Sequence, residues 1–365
     1  MFDNRKEITL KMMREQDIDL MVLVPGSNLY YLTGNNFSTS ERLLLYFLER
    51  SGKGTFLAPE VEKSKLTLNQ DDIVFSYTDE EGPYSLLHSL RNNISLTKKI
   101  AVETNQMRLF EYEFLKELGI IGIHQTSNAT NIIKEMRLQK NMEEVNMMKK
   151  AVHILEESLQ ATLPTIEIGK KEVEVAAKLE YEMRIRGSQG TPFSTIVASG
   201  YRGALPHGRA SEKTIEDGDF IVIDFGATFN GYVGDMTRTI GIGNISNKQK
   251  EVYDIVKDAI STSIESIKIG KSIGDIDATA REIISKAGYG DCFTHRLGHG
   301  IGLDAHEEPY ITQSNRDTIQ RGMAFTVEPG IYIKNEFGVR LEDNIVVTEH
   351  EIVNLMTLNY DLIVL

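Results

Sequence analysis

The sequence predicts two domains: a smaller α/β domain over residues 1–127, then an α+β domain over 128–365 built from two pseudo-equivalent halves. Three observations carry that reading. The chain has 365 residues, more than one ordinary core uses at roughly 150 residues per domain. Strand-like and helix-like segments alternate through its first third. Short motifs in the remainder then recur in the same order, IEIGK at 166–170 and again as IKIGK at 267–271.

Taken in order, residues 4–17 are polar with apolar Ile8, Met12 and Met13, the pattern of an amphipathic helix. MVLVP (21–25) reads as a buried strand. LLLYFLER (43–50), GTFLAP (54–59), DIVFSY (72–77) and KIAVET (99–104) read as further strands, bounded by Gly, Pro, Asn or Asp. SYTDEEGPYSLLHSLRNN and MRLFEYEFLKELG supply helical spacers that cover the sheet. NLYYLTG (28–34) is expected as a packed polar-aromatic turn. Asn141 with Glu144 opens a long helix through a capping box, and Val145, Met148, Val152, Leu155 and Leu159 line one face of it. The domain boundary is placed before that helix, near 128.

In the second domain both IxIGK motifs precede helix-patterned stretches that end at Gly187 and Gly288. GDFIVIDFG (218–226) aligns with GMAFTVEPG (322–330), which sets Asp224 on Glu328. A further acid follows each, Asp235 and Glu342. Each half is therefore expected as two helices followed by antiparallel strands.

Composition narrows the function. With 40 Lys and Arg against 53 Asp and Glu, the formal charge of −13 disfavours a nucleic-acid partner, which needs a basic surface. The single Cys292 excludes an intrachain disulfide framework and a Cys-rich zinc site, and suits the cytoplasm; the residue itself is expected to be a small packed one. MFDNRKEITL holds no signal-like apolar stretch. The run LLLYFL (43–48) is far short of the ~20 residues a membrane span needs.

The chemistry lies in the carboxylates and histidines of the second domain. Asn230-Gly231 is a strong signal for a two-residue hairpin turn. It would pair Thr228 with Val233, Gly226 with Asp235 and Asp224 with Thr237. Asp224 and Asp235 then share a sheet face as diagonal neighbours, roughly 7–8 Å apart. Two buried acids that close repel, so a cation between them is expected. By the repeat, Glu328 and Glu342 are the same device in the second half, and four inward acids call for a dinuclear site. His207, His295, His299 and His306 lie near these acids in sequence. His295 and His299 resemble a helical zinc motif, but the Glu after the first His is missing and Gly298, Gly300 and Gly302 oppose a helix. Strand and loop fit better, with one His ligating and the others left to bind substrate or move protons. His88, His124, His153 and His350 lack such surroundings.

ALPHGRAS, IDFGATFNGYVGDMTRT, HRLGHGIGLDAHEEP, FTVEPGIY and GVRLEDNIVVT together resemble, in order and spacing, the pita-bread-fold metallopeptidases. That family includes methionine aminopeptidase, Xaa-Pro aminopeptidase, prolidase and creatinase. The resemblance implies a pita-bread (creatinase/aminopeptidase-like) catalytic domain. Its metal ligands would be Asp224, Asp235, His299, Glu328 and Glu342, and all five positions are filled. The first third is similar to the extra α/β domain of creatinase, prolidase and Xaa-Pro aminopeptidase, which points away from methionine aminopeptidase.

The resemblance therefore implies an exopeptidase that cleaves before proline in Xaa-Pro dipeptides or longer peptides, through a hydroxide bridging two divalent ions. Glu328 would move the proton and His306 would stabilise the oxyanion. His207 and His295 would hold the substrate carbonyl and the proline side, and Arg340 would orient Glu342 or meet the substrate. Four carboxylates among five ligands favour manganese, then cobalt or iron, then zinc. A homodimer is implied by relatives alone. Some dipeptide-specific members carry an arginine soon after the H-E-x-P segment, which reads the substrate's carboxylate. Here Tyr310 stands there, leaving Arg340 or Arg296 for that task. The competing readings are a non-catalytic peptide-binding module on the same fold and a metal-independent, creatinase-like amidinohydrolase.

Overall fold

Short apolar runs broken by turn residues make strands, and in the first third they form one six-stranded mixed sheet. Its strands are β1 (Leu20–Leu23), β2 (Leu45–Glu49), β3 (Gly54–Pro59), β4 (Ile73–Tyr77), β5 (Ile100–Val102) and β6 (Thr126–Asn128), in the order β4-β3-β2-β1-β5-β6. The computed structural model describes residues 2–95, 99–120 and 126–365, so His124 lies outside the described residues. Helices α1 (Phe2–Glu15), α2 (Ser27–Thr33), α3 (Glu60–Lys63), α4 (Leu87–Asn93) and α5 (Leu109–Leu118) accompany the sheet. One core cluster gathers Val22, Phe47, Leu57, Val102, Phe114 and Leu118, which ties strands and helices together.

NLYYLTG overturns one expectation: it is the helix α2, not a turn, with Leu29, Tyr31, Leu32 and Thr33 buried. Gly34, at φ 76°, ends it in a left-handed C-cap. Burial outweighs the weak helix propensity of Asn, Tyr and Thr. The compact units divide between Met136 and Arg137. Residues past 127 remain in the first unit because β6 pairs in parallel with β5 and α6 (Ala129–Leu138) follows it directly.

In the second unit, α7 (Met142–Thr162) starts at Asn141, whose side chain accepts hydrogen bonds from the backbone N–H groups of Glu143 and Glu144. Val145, Met148, Val152, Leu155 and Leu159 are all buried, as the stripe requires. α8 (Glu172–Ile185), β7 (Ile196–Ser199), β8 (Phe220–Phe229) and β9 (Tyr232–Gly241) complete the first half. The second half holds α9 (Asn247–Ser266), α10 (Ile273–Lys286), β10 (Gly298–Gly300), β11 (Glu307–Ile311), β12 (Ala324–Val327), β13 (Gly330–Ile333), β14 (Phe337–Arg340), β15 (Asp343–Val347) and β16 (Ile352–Asn354).

Backbone hydrogen bonds show the two halves to be equivalent. Gly169 N–H donates to the Ile215 carbonyl at 2.9 Å, and Gly270 N–H to that of Ile319 at 2.9 Å. Glu172 N–H donates to Lys213 at 3.0 Å, and Ile273 N–H to Asp317 at 2.9 Å. Gly218 N–H donates to Ile242 at 2.8 Å, and Gly322 N–H to Val347 at 2.7 Å. In the first two pairs the chain before or at the start of α8 or α10 bonds the loop that leads into β8 or β12, and in the third the turn before β8 or β12 bonds the end of the β9 or β15 segment. The halves differ in one connection: β8 turns straight into β9, whereas the β13–β14 hairpin separates β12 from β15.

Candidate active site

The Asn230-Gly231 turn fixes the first two acids. Both residues have positive φ, 47° and 82°, as a type I′ hairpin turn demands. The register that follows pairs Thr228 with Val233, Gly226 with Asp235 and Asp224 with Thr237. Asp224 and Asp235 thus point to one face. Asp235 is locked at the backbone, its N–H donating to Asn344 Oδ1 at 3.0 Å and its carbonyl accepting from Asn344 Nδ2 at 2.7 Å.

The remaining donors come from the second half. His299 is the middle residue of β10, and Thr326 on the facing strand accepts its backbone N–H. Its Nδ1–H donates to the Gly300 carbonyl at 3.1 Å, which leaves the Nε2 lone pair aimed at the acids. That Nε2 is 3.4 Å from Glu328 Oε1 and 3.8 Å from Asp235 Oδ2. Glu328 follows the end of β12, and its N–H donates to the Leu297 carbonyl at 2.8 Å. Glu342 sits between β14 and β15, with Thr237 Oγ1 donating to its Oε2 at 2.6 Å. All five side chains line one cavity of about 540 Å³. The possible ligand atoms of Asp235, His299 and Glu342 lie within 4.8 Å of one another. Asp224 and Glu328 keep 14% and 16% of their side-chain surface exposed, so these two acids edge the open side.

The electrostatics ask for cations. Burial raises the Asp235 carboxyl well above its ordinary range, and Asp224 and Glu328 push it further. Burial, then Asp235, Glu328 and Asp224, do the same to Glu342. Burial also drives Glu328 up to about 8, against the opposing pull of Arg340. Asp235 Oδ1 and Glu342 Oε1 are buried yet accept no hydrogen bond, a costly state for a carboxylate oxygen. His299 is pushed down to about 3, first by burial and then by His306, so its ring is a neutral donor at physiological pH. Buried acid oxygens without partners beside a neutral imidazole fit divalent metal ions.

Around this group the structure rearranges several expected roles. Arg340 is buried and bound to Asp224 Oδ2 at 2.6 Å, to Tyr332 Oη at 2.7 Å, to Thr237 Oγ1 at 3.2 Å and to the Pro206 carbonyl at 3.2 Å. It therefore orients Asp224, whereas Thr237 serves Glu342. His295 donates from Nδ1 to the Arg296 carbonyl at 2.7 Å, and its Nε2 accepts from Tyr332 Oη at 2.8 Å. Both ring nitrogens are engaged, and burial lowers the ring to about 4. His306 is exposed, with its ring centroid 4.2 Å from that of His299, and it lines the cavity together with exposed His207. His88, His153 and His350 are exposed, and Cys292 is partly buried, packed against the second unit's core. Thr237, Tyr332 and Asn344 were missed from sequence. Thr237 was legible, two residues after Asp235 on the same strand face; Tyr332 was not, because its place depends on the β13–β14 hairpin.

Residues 146–349, more than half of the chain, match metallopeptidase family M24. The chain belongs to that family. Residues 5–139 match the creatinase/prolidase N-terminal domain, so a creatinase-type domain precedes an M24 catalytic domain with the pita-bread fold. A Xaa-Pro dipeptidase of Pyrococcus furiosus is 38% identical over 346 residues, which cover 95% of each protein. The crystal structure of a recombinant prolidase from Thermococcus sibiricus superimposes with a TM-score of 0.93 at 35% identity, covering 100% of this chain and 99% of that one. That of an X-Pro aminopeptidase from Thermotoga maritima gives 0.86 at 33% identity, covering 99% of both. As a member of family M24, the protein is a metallopeptidase that works with divalent metal. Among the described residues, no helix is long and apolar enough to cross a membrane.

Proposed function

We propose that the protein hydrolyses the bond between an N-terminal residue and a following proline, with Asp224, Asp235, His299, Glu328 and Glu342 holding two divalent ions. One observation carries this: donors from both halves converge on one cavity, where buried carboxylate oxygens lack hydrogen-bond partners. Relatives called Xaa-Pro dipeptidase and prolidase support the proline preference. Four carboxylates among the five donors favour manganese over cobalt, iron or zinc.

When bound, the metal pair acts as a Lewis acid and supplies a water of lowered pKa. The chain's own residues do the rest. Glu328, on the open side of the group, accepts the proton of the attacking water and passes it to the leaving proline nitrogen. The four acids draw in the substrate's N-terminal amine, which makes the enzyme an exopeptidase. His306 donates a hydrogen bond to the carbonyl oxygen as negative charge develops there. His207 stands at the substrate side of the cavity. His295 and Arg340 act through Tyr332 and Asp224, shaping the proline side and fixing an acid. The single cysteine favours the cytoplasm, and the partner is a second copy of the chain, to be checked by sedimentation.

The deciding assay is hydrolysis of Xaa-Pro dipeptides and Xaa-Pro-Yaa tripeptides with added manganese. Release of the N-terminal residue that stops on chelation is the expected result; no turnover of either class rejects the reading.

A further inference from the structure

Arg296 stands in the wall between two cavities. On one side lies the site cavity; on the other lies a polar cavity of about 780 Å³, bounded by the first turns of α10 and by residues 312–316. His295 and Arg296 line both. Ligand pockets commonly measure about 300–1,000 Å³, so the second cavity is large enough to hold substrate.

Its charges are not balanced. Arg281 is neutralised, its Nε and Nη2 donating to the two Asp277 oxygens at 2.8 and 2.9 Å. Asp277 also accepts the Leu297 N–H. Arg296 and Arg316 differ: among the described residues, neither guanidinium makes a hydrogen bond or ion pair, and Arg296 lies over the Tyr310 ring at 4.2 Å. On the side of the second cavity, exposed Asp275 is the lining acid that Arg281 does not engage, while Arg296 also feels Glu328 in the site cavity. Thr312 and Ser314 add hydroxyls 3.2 Å apart beside Arg316. A free guanidinium fork flanked by hydroxyls suits a carboxylate.

We propose that this second cavity is a subsite for the part of a peptide beyond proline, in which Arg316 meets the free C-terminal carboxylate of an Xaa-Pro-Yaa substrate that passes Arg296. The proposal rests on the Xaa-Pro reading and adds to it a specificity-determining residue, Arg316, and the group it reads, a free C-terminal carboxylate one residue beyond proline.

The test uses the manganese-loaded full-length protein and its Arg316→Ala and Arg316→Glu variants. Arg316 is exposed, so neither change threatens folding. Each is assayed on an Xaa-Pro dipeptide, an Xaa-Pro-Yaa tripeptide and the same tripeptide as its C-terminal amide. Wild type is expected to cleave all three. Arg316→Ala should raise KM for the tripeptide acid about fivefold or more, and Arg316→Glu further, with kcat unchanged. KM for the dipeptide and the amide should stay within about twofold. The proposal is overturned if acid and amide respond alike, if Arg316 variants leave the tripeptide acid unchanged, or if wild type cleaves only the dipeptide. Turnover of none of the three by wild type overturns the Xaa-Pro reading as well, which separates the two failures.

Discussion

The two halves of the catalytic unit build the same device with different parts. The first half uses short acids, Asp224 and Asp235, on a continuous hairpin with a two-residue turn. The second uses longer acids, Glu328 and Glu342, at the ends of strands that an inserted hairpin separates. That insertion costs the direct turn but delivers Arg340, which reaches across to Asp224, and Tyr332, whose hydroxyl accepts from Arg340. Local register sets which face the first half's acids occupy, whereas the second half's acids are placed by hydrogen bonds between segments far apart in sequence. Substitutions should therefore fail differently in the two.

The largest effect tests whether the halves contribute equally to the metal group. Asp235→Asn and Glu342→Gln should each lower kcat/KM by at least the roughly 10–100-fold that losing a mere supporting contact costs. Both should also raise the melting temperature of chelated protein, because each removes a buried, repelled charge. A metal-dependent rise in melting temperature that survives either change intact would refute an equal contribution.

Next comes the bond between the halves. Arg340→Met strips Asp224 of its guanidinium and leaves a partly buried acid unpaired, a change that costs at most the roughly 3–5 kcal/mol found for fully buried pairs. Activity should fall about 10–100-fold, mainly in kcat. Urea unfolding and steady-state kinetics measure both; loss of stability with full activity would show that Arg340 braces the fold without serving Asp224.

A third prediction concerns the segment just after His306. Glu307 is buried between Lys140, 3.1 Å away, and Arg137, and its carboxyl is lowered to about 2: burial raises it, but Lys140 and Arg137 together pull it down further. A depressed carboxyl adds stability above its unfolded value near 4.3 and loses it as pH falls toward 2. Wild type should lose on the order of 3 kcal/mol across that window, and Glu307→Gln should show a flatter profile. Parallel profiles in acid unfolding would remove Glu307 from the account.

The smallest effect isolates local register. Gly231 has φ 82°, so Gly231→Ala should cost about 1–2 kcal/mol by thermal unfolding. Activity per folded molecule should barely change, since ten cross-strand pairs outside the turn hold the register.

Much of this was legible before the structure. The turn dipeptide, the strand period of two and the repeated motifs depend on near neighbours in sequence. They set the β8–β9 register, the pairing of Asp224 with Glu328 and the rejection of a helical histidine motif. Resemblance to a family then named His299 as the ligand, which spacing alone had left open among four histidines.

Burial and long-range contact decided the rest. NLYYLTG became a helix because Leu29 and Leu32 are buried, a fact absent from its own residues. Arg340 was expected to orient its near neighbour Glu342 or to meet the substrate. Instead it binds Asp224, 116 positions away, because the inserted hairpin turns its side chain toward the first half. His295 lost its free nitrogens to Tyr332 and a carbonyl in the same way. Sequence determined which residues are donors and which face of a strand they occupy, since backbone geometry fixes both locally. Only the tertiary structure decided which donor meets which acceptor, since those pairings form where distant segments exclude water together.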